Sequence, residues 1–172
     1  MSAKAGPDPA GLGRVAYGGG VVVASNRAAA GVYEDATGPL LADFLDELGF
    51  AVGAPVVVPD GEPVGEAIAA FVAAGARVVL TTGGTGLTPT DLTPEATRPL
   101  LDREIPGIAE AIRAAGVAKG VPTAMLSRGL AGLAGTCLVI NLPGSRGGVK
   151  DAIEVLRPVL EHAVEQSVGS DH

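Results

Sequence analysis

The chain has 172 residues, 47% of them hydrophobic and only 3% aromatic, which suits one α/β domain with a core of Val, Leu, Ile and Ala. Its net charge of −7 argues against nucleic-acid binding, which needs a basic face to neutralise phosphates. A single cysteine excludes an internal disulfide, no apolar run reaches the roughly 18 residues of a membrane span, and no signal-peptide pattern opens the chain, so a cytoplasmic location is expected.

Residues 1–13 are small, polar and rich in Pro and Gly, and read as a mobile arm. A single domain is expected over 14–166, with 167–172 as a flexible tail. Val21, Val22, Val23 and Ala24 form a short apolar run that reads as a buried strand. Leu40, Leu41, Phe44, Leu45 and Leu48 then recur at helical spacing, with Pro39 suited to the first turn and Gly49 to the end. Residues 56–58 predict a second strand, stopped by Pro59. Val64, Ile68, Phe71 and Val72 predict a second helix, closed by Gly75, and residues 78–80 a third strand. Thr93 suits a helix N-cap, Pro94 the first helical position and Glu95 the first turn. Ile105, Ile108 and Ile112 are again helical in period. Residues 138–140 predict another buried strand, with Cys137 before it as a core residue. A last helical stripe runs from Val149 to Ala163 and should kink or end at Pro158.

Continuous apolar strands alternating with amphipathic helices imply a mostly parallel sheet covered on both faces, a three-layer αβα fold. Ligands of such sheets bind outside the carboxyl ends of the strands. That directs attention to the loops at 25–35, 59–62, 81–91 and 141–150.

The loop at 81–91 is the richest. Gly83, Gly84 and Gly86 let the backbone turn tightly and present N–H groups to phosphate oxygens, and Thr82, Thr85 and Thr88 add hydroxyls. It is neither a P-loop, lacking the Lys-Ser/Thr pair, nor a dinucleotide fingerprint. Asp91 near a helix start and Asp60 in an Asp-Gly turn each have an ordinary local explanation. The topology nonetheless places them at neighbouring strand ends, where two carboxylates could share a Mg²⁺ ion. Asn141, Leu142, Pro143, Gly144 and Ser145 form a strand–turn–helix junction suited to an anion. Arg27, after Ser25 and Asn26, could grip a phosphate as a forked cation, and so could Arg128 after Ser127. His162 and His172 lack neighbours at metal-ligand spacing.

Taken in order, these pieces resemble the MogA/MoaB family of molybdenum cofactor biosynthesis proteins, related to the G domain of gephyrin. The carriers are Ser25-Asn26-Arg27 with Gly31-Val32-Tyr33-Glu34-Asp35, then Val58-Pro59-Asp60, then residues 81–86 with Asp91-Leu92-Thr93-Pro94-Glu95-Ala96-Thr97. Pro106-Gly107, Leu126-Ser127-Arg128 and Asn141-Leu142-Pro143-Gly144-Ser145 complete the set over roughly residues 18–165. The resemblance implies the molybdopterin-binding α/β fold, assembled as a homotrimer or hexamer. It also implies ATP-dependent adenylylation of molybdopterin with release of pyrophosphate, or, as an alternative, a non-catalytic pterin carrier. Under it Asp60 and Asp91 become the functional aspartates, with Ser127 and Arg128 and the turn at 141–144 beside the substrate. Two departures, Asn26 where relatives often have Asp and Thr90 where some adenylyltransferases have Arg, look more like the MoaB-type branch.

Overall fold

A computed structural model of the protein describes residues 16–169, so the expected arm at 1–13 and the end of the expected tail lie outside the described residues. The strands are β1 (Gly18–Ala24), β2 (Ala51–Val52), β3 (Val56–Val58), β4 (Val78–Thr82), β5 (Arg103–Glu104), β6 (Ala131–Ala134) and β7 (Cys137–Leu142). The helices are α1 (Asn26–Ala29), α2 (Gly38–Glu47), α3 (Glu62–Ala73), α4 (Thr93–Thr97), α5 (Pro106–Ala118), α6 (Arg146–Leu156) and α7 (Leu160–Ser167). The sheet runs β2-β1-β4-β7-β6-β5, with β3 pairing the far end of β1.

The central strands are parallel and in tight register: Val21 faces Leu80, and Leu80 faces Ile140. Successive residues point to opposite faces, so each strand feeds two cores. Val21, Leu80 and Ile140 join Leu41, Phe44, Leu45, Ile112, Val149 and Leu156 under α2, α5, α6 and α7. Val22, Val79 and Val139 join Val64 and Ile68 under α3. This is the three-layer arrangement expected from strands that are apolar on both sides. Each fully buried Leu, Ile or Val here is worth about 1.5–3 kcal/mol.

Helix ends follow local chemistry. Gly49 and Gly75 take φ of 89° and 87° after α2 and α3, letting Phe50 and Ala76 N–H groups reach back to Leu45 and Phe71 carbonyls. The Pro158 break is present: α6 stops at Leu156 and α7 restarts at Leu160. Helix α7 includes Ser167, whose hydroxyl donates to the Val164 and Thr136 carbonyls.

Two expectations change. Thr93 is not the N-cap of α4; Leu92 holds that position and Thr93 is the first helical residue. The sheet also continues through two strands without the apolar pattern: β6 pairs antiparallel with β7, and β5 antiparallel with β6. The first is Ala-Gly-Leu-Ala, with a single large apolar residue, and the second two charged residues, so neither carries a strand-like hydrophobic signature.

Cys137 is buried as expected, and burial pushes its thiol up to about 11 despite the nearby charge of Arg77. At pH 8 iodoacetamide should label native Cys137 at least ~100-fold more slowly than the same residue in denaturant, because so little thiolate is present. Equal rates would contradict its placement.

Candidate active site

The carboxyl ends of β1, β4 and β7 converge at a turn that only glycine permits. Gly83 and Gly84 have φ of 89° and 67°. A Cβ on Gly83 would stand 2.3 Å from the Ala24 carbonyl oxygen, and one on Gly84 would stand 2.3 Å from Thr93 Oγ1 and 3.1 Å from Asp60 Oδ1. Gly144, after β7, has room for a Cβ only 3.2 Å from the Gly83 Cα. Three strand ends therefore meet backbone to backbone, with no side chain between them.

Two carboxylates stand against this turn. Asp60, after β3, has Oδ1 beside Gly84, and Asp91 has Oδ2 2.8 Å from the Cβ position of Gly86. Asn26 locks Asp60 from the other side: its Oδ1 accepts the Asp60 N–H at 2.9 Å, and its own N–H donates to Asp60 Oδ2 at 3.4 Å. Partial burial raises the Asp60 pKa, the Asn26 N–H opposes this, and the negative charge of Asp91 raises it further. The two acids thus share one electrostatic neighbourhood. Asp91 Oδ2 accepts the Thr88 hydroxyl at 2.7 Å and the Thr88 N–H at 3.0 Å, which folds 88–91 into a tight local turn.

Beneath the loop lies a buried polar frame. Asn141 Nδ2 donates to Thr81 Oγ1 and Thr97 Oγ1, both at 3.0 Å, and its Oδ1 accepts the Leu130 N–H. Thr97 passes its own proton to the Thr93 carbonyl. The Thr82 hydroxyl, also buried, donates to the Pro143 carbonyl at 2.7 Å. Arg128 braces the outside. Its guanidinium donates to the Gly86 and Asp91 carbonyls and pairs with Glu95, while its N–H donates to the Thr85 carbonyl. That pairing holds the Glu95 carboxyl below its usual range.

A cleft of about 840 Å³ opens beside this frame. It is lined by Gly84, Thr85, Gly86, Asp91, Ser127 and the turn at Pro143, Gly144 and Ser145. Ser145 caps α6 by accepting the Gly148 N–H, so the positive end of an 11-residue helix faces the cleft. Apolar Ile112, Val121, Ala124 and Leu126 and the charged Arg113, Lys119 and Asp151 complete the lining.

Residues 20–162 match the family described as "Probable molybdopterin binding domain". The chain belongs to this family. It is 50% identical to the molybdopterin biosynthesis Mog protein of Mycobacterium ulcerans, with a TM-score of 0.84 over 88% of this chain and 99% of that one. It is 40% identical to MoaB of a Thermus species, with a TM-score of 0.82 over 90% and 98%. It is 34% identical to molybdopterin adenylyltransferase of Helicobacter pylori over 88% of each chain. It spans about half the length of the bifunctional molybdenum cofactor biosynthesis proteins it also matches. The fold is thus the MogA/MoaB-like α/β fold.

Within this member of the family, the residues singled out by sequence fall into three groups. Gly84, Thr85, Gly86, Asp91, Ser127, Pro143, Gly144 and Ser145 line the cleft together. Asp60 adjoins it through Gly84, and Gly83 is packed under the turn. The others lie outside the cleft lining. Asn141 and Thr82 are buried and bonded inward, because a polar side chain at the end of a central strand must satisfy itself within the protein. Thr88 donates to Asp91, and the Arg128 guanidinium is turned to the Gly86 and Asp91 carbonyls and to Glu95. Ser25 caps α1 and meets the Tyr33 hydroxyl, and Arg27 stacks on the Tyr33 ring at 5.3 Å. Neither lines the cleft. Missed from sequence were Asn26 as the Asp60 lock, and Arg113, whose guanidinium donates to the Ser127 and Gly129 carbonyls. Arg113 carries no motif; only the passage of α5 beside the cleft brings it there.

Asn141→Ala should destabilise the fold by roughly 2–4 kcal/mol, since it strands several buried partners at once; chemical denaturation measures this, and a loss under about 0.5 kcal/mol would remove the frame's importance. Arg128→Ala should lower hydrogen-exchange protection of the Thr88 and Asp91 amides by about tenfold at neutral pH, the scale of a lost charge-assisted bond. In the parent chain the Glu95 contribution is full at neutral pH and is lost as the pH falls from the ordinary carboxylate value through the depressed one, because its folded pKa is lowered.

Proposed function

We propose that this chain is a molybdopterin adenylyltransferase acting in molybdenum cofactor biosynthesis. The observation that carries the reading is a glycine turn, Asp91 and a helix N-terminus lining a single cleft, with Asp60 adjoining it through Gly84 and apolar side chains completing its wall. Relatives bearing that name, at 34% and 39% identity, support it.

The terminal phosphate of molybdopterin attacks the α-phosphorus of ATP. A new P–O bond forms, the bond to the bridging α–β oxygen breaks, and pyrophosphate leaves with that electron pair. The attacking phosphate is already anionic, so no strong general base is required. The protein contributes alignment and charge neutralisation. Backbone N–H groups at 84–86 and the α6 terminus hold phosphate oxygens, and Ser127, Pro143, Gly144 and Ser145 shape the seat. Arg128 acts by keeping the loop in place, and Asn141 and Thr82 by fixing the strand ends beneath it.

Asp60 and Asp91 would hold Mg²⁺. The donor set fits: the Asp60 and Asp91 carboxylates act on each other electrostatically, and a pair of hard oxygen donors suits an ion that keeps waters and phosphate oxygens as its other ligands. When bound, the ion supplies charge neutralisation at the departing pyrophosphate. We assign the working form as a cytoplasmic homotrimer, with a hexamer as the larger assembly.

A non-catalytic pterin carrier is the second reading, favoured by the engagement of Asp91 Oδ2 with Thr88. Incubation with ATP, Mg²⁺ and molybdopterin, followed by mass detection of adenylylated pterin and a pyrophosphate assay, separates the two. Product formation is expected, with Asp91→Asn slower by roughly 10²–10³-fold. Pterin binding without pyrophosphate would establish the carrier, and unchanged turnover in Asp91→Asn would remove Asp91 from the mechanism. Light scattering on the purified protein reads the trimer directly.

A further inference from the structure

The Thr93 side chain is completely buried, and its hydroxyl has no hydrogen-bond partner. A threonine inside a helix usually gives its proton to the carbonyl one turn earlier, as Thr97 does to Thr93. Thr93 is the first residue of α4, so no helical carbonyl precedes it. Leaving a buried hydroxyl unpaired is costly, and such an atom calls for an explanation.

The neighbourhood supplies one. Thr93 Oγ1 and Asp60 Oδ1 converge on the same point, the place a Gly84 Cβ would occupy, at 2.3 and 3.1 Å from it. Among the described residues, no hydrogen bond reaches Asp60 Oδ1; the one bond to its carboxylate, from Asn26 N to Oδ2, is long at 3.4 Å. An unused donor and an unused acceptor thus stand beside the same glycine; Asn26 holds the Asp60 backbone firmly, at 2.9 Å, but its carboxylate by the one long bond alone. Gly84 keeps the gap clear, and its carbonyl accepts the Thr93 N–H at 3.0 Å, which fixes the threonine backbone in place.

We propose that Thr93 is a positioning residue for Asp60: when a divalent cation draws the carboxylate round, the Thr93 hydroxyl donates to Oδ1 and leaves Oδ2 directed at the ion. The hydroxyl is then satisfied in the loaded state and not in the empty one. The stability lost to the orphaned proton is the cost of a preset acid. This rests on the magnesium reading above.

The test uses the full chain, with Mn²⁺ as a stand-in for Mg²⁺ and α,β-methylene-ATP as a nucleotide that cannot be cleaved at the reacting bond. Free Mn²⁺ is followed by electron paramagnetic resonance. Thr93→Val, which keeps the shape and removes the hydroxyl, should bind Mn²⁺ about tenfold more weakly, the effect of losing one hydrogen bond to a charged group. Without ligand it should melt at or above the parent temperature. Thr93→Ser should retain the parent affinity. Equal Mn²⁺ affinity in the parent and Thr93→Val overturns the proposal, as does a Thr93→Ser protein as weak as Thr93→Val. If Thr93→Val does not fold, Thr93→Ala against Thr93→Ser makes the same comparison. Absence of Mn²⁺ binding in the parent itself would overturn the magnesium reading, and this inference with it, before any variant is made.

Discussion

The site depends on how closely three strand ends approach one another. Gly83 lies against the Ala24 carbonyl and against Gly144, and Gly84 lies against Thr93 and Asp60. A Cβ at Gly83 would displace backbone, and one at Gly84 would displace the Thr93 and Asp60 side chains. Because β1, β4 and β7 are in parallel register, their ends arrive side by side. The glycines turn that alignment into contact. The glycine turn, Asp91 and the turn at 143–145, all of which face the cleft, are placed by this junction.

A polar layer lies directly under it. Thr81, Thr82, Thr97 and Asn141 are buried, and apolar side chains would have filled the same volume without hydrogen bonds. Their value is directional. From β7, Asn141 bonds to Thr81 in β4, to Thr97 in α4 and to the Leu130 N–H just before β6, so the loop between β4 and α4 is tied at both ends to β7. Arg128 repeats this on the surface, crossing from the 127–129 segment to Gly86, Asp91 and Glu95. A loop of glycines and threonines would otherwise be mobile. Bracing from below and from outside presents its amides in one arrangement, which is what electrostatic catalysis requires.

The fold was largely legible because its central strands are apolar on both faces and its helices carry clear periodicity and end signals. Residues 21–24, 56–58, 78–80 and 138–140 all lie in strands, and the helix breaks at Gly49, Gly75 and Pro158 occur where residue chemistry places them. The illegible parts were the sheet's edges: the two-residue β2, parallel to β1, and the antiparallel pair β5 and β6. Strand β6 is Ala-Gly-Leu-Ala, and its pairing with β7 follows from a short return of the chain rather than from any pattern of its own. Strand β5 is Arg103–Glu104, held by backbone pairing that side-chain hydropathy does not report.

For the site, the sequence alone determined which loops matter and which residue types crowd into them, since glycine turns, strand ends and helix starts are local properties of the chain. It placed Asp60, Asp91, residues 83–86 and residues 143–145 among the candidates, and the structure gathers them. Only the tertiary structure decided which way each side chain faces. Thr82 and Asn141 turn inward, Arg128 grips its own loop, Ser25 and Arg27 turn to Tyr33, and Thr93 is sealed beside Asp60. The reason is that a polar group's role is set by the nearest complementary group, and for these residues that partner lies on a segment distant in the chain or in the turn around them. Such distances exist only once the sheet has closed.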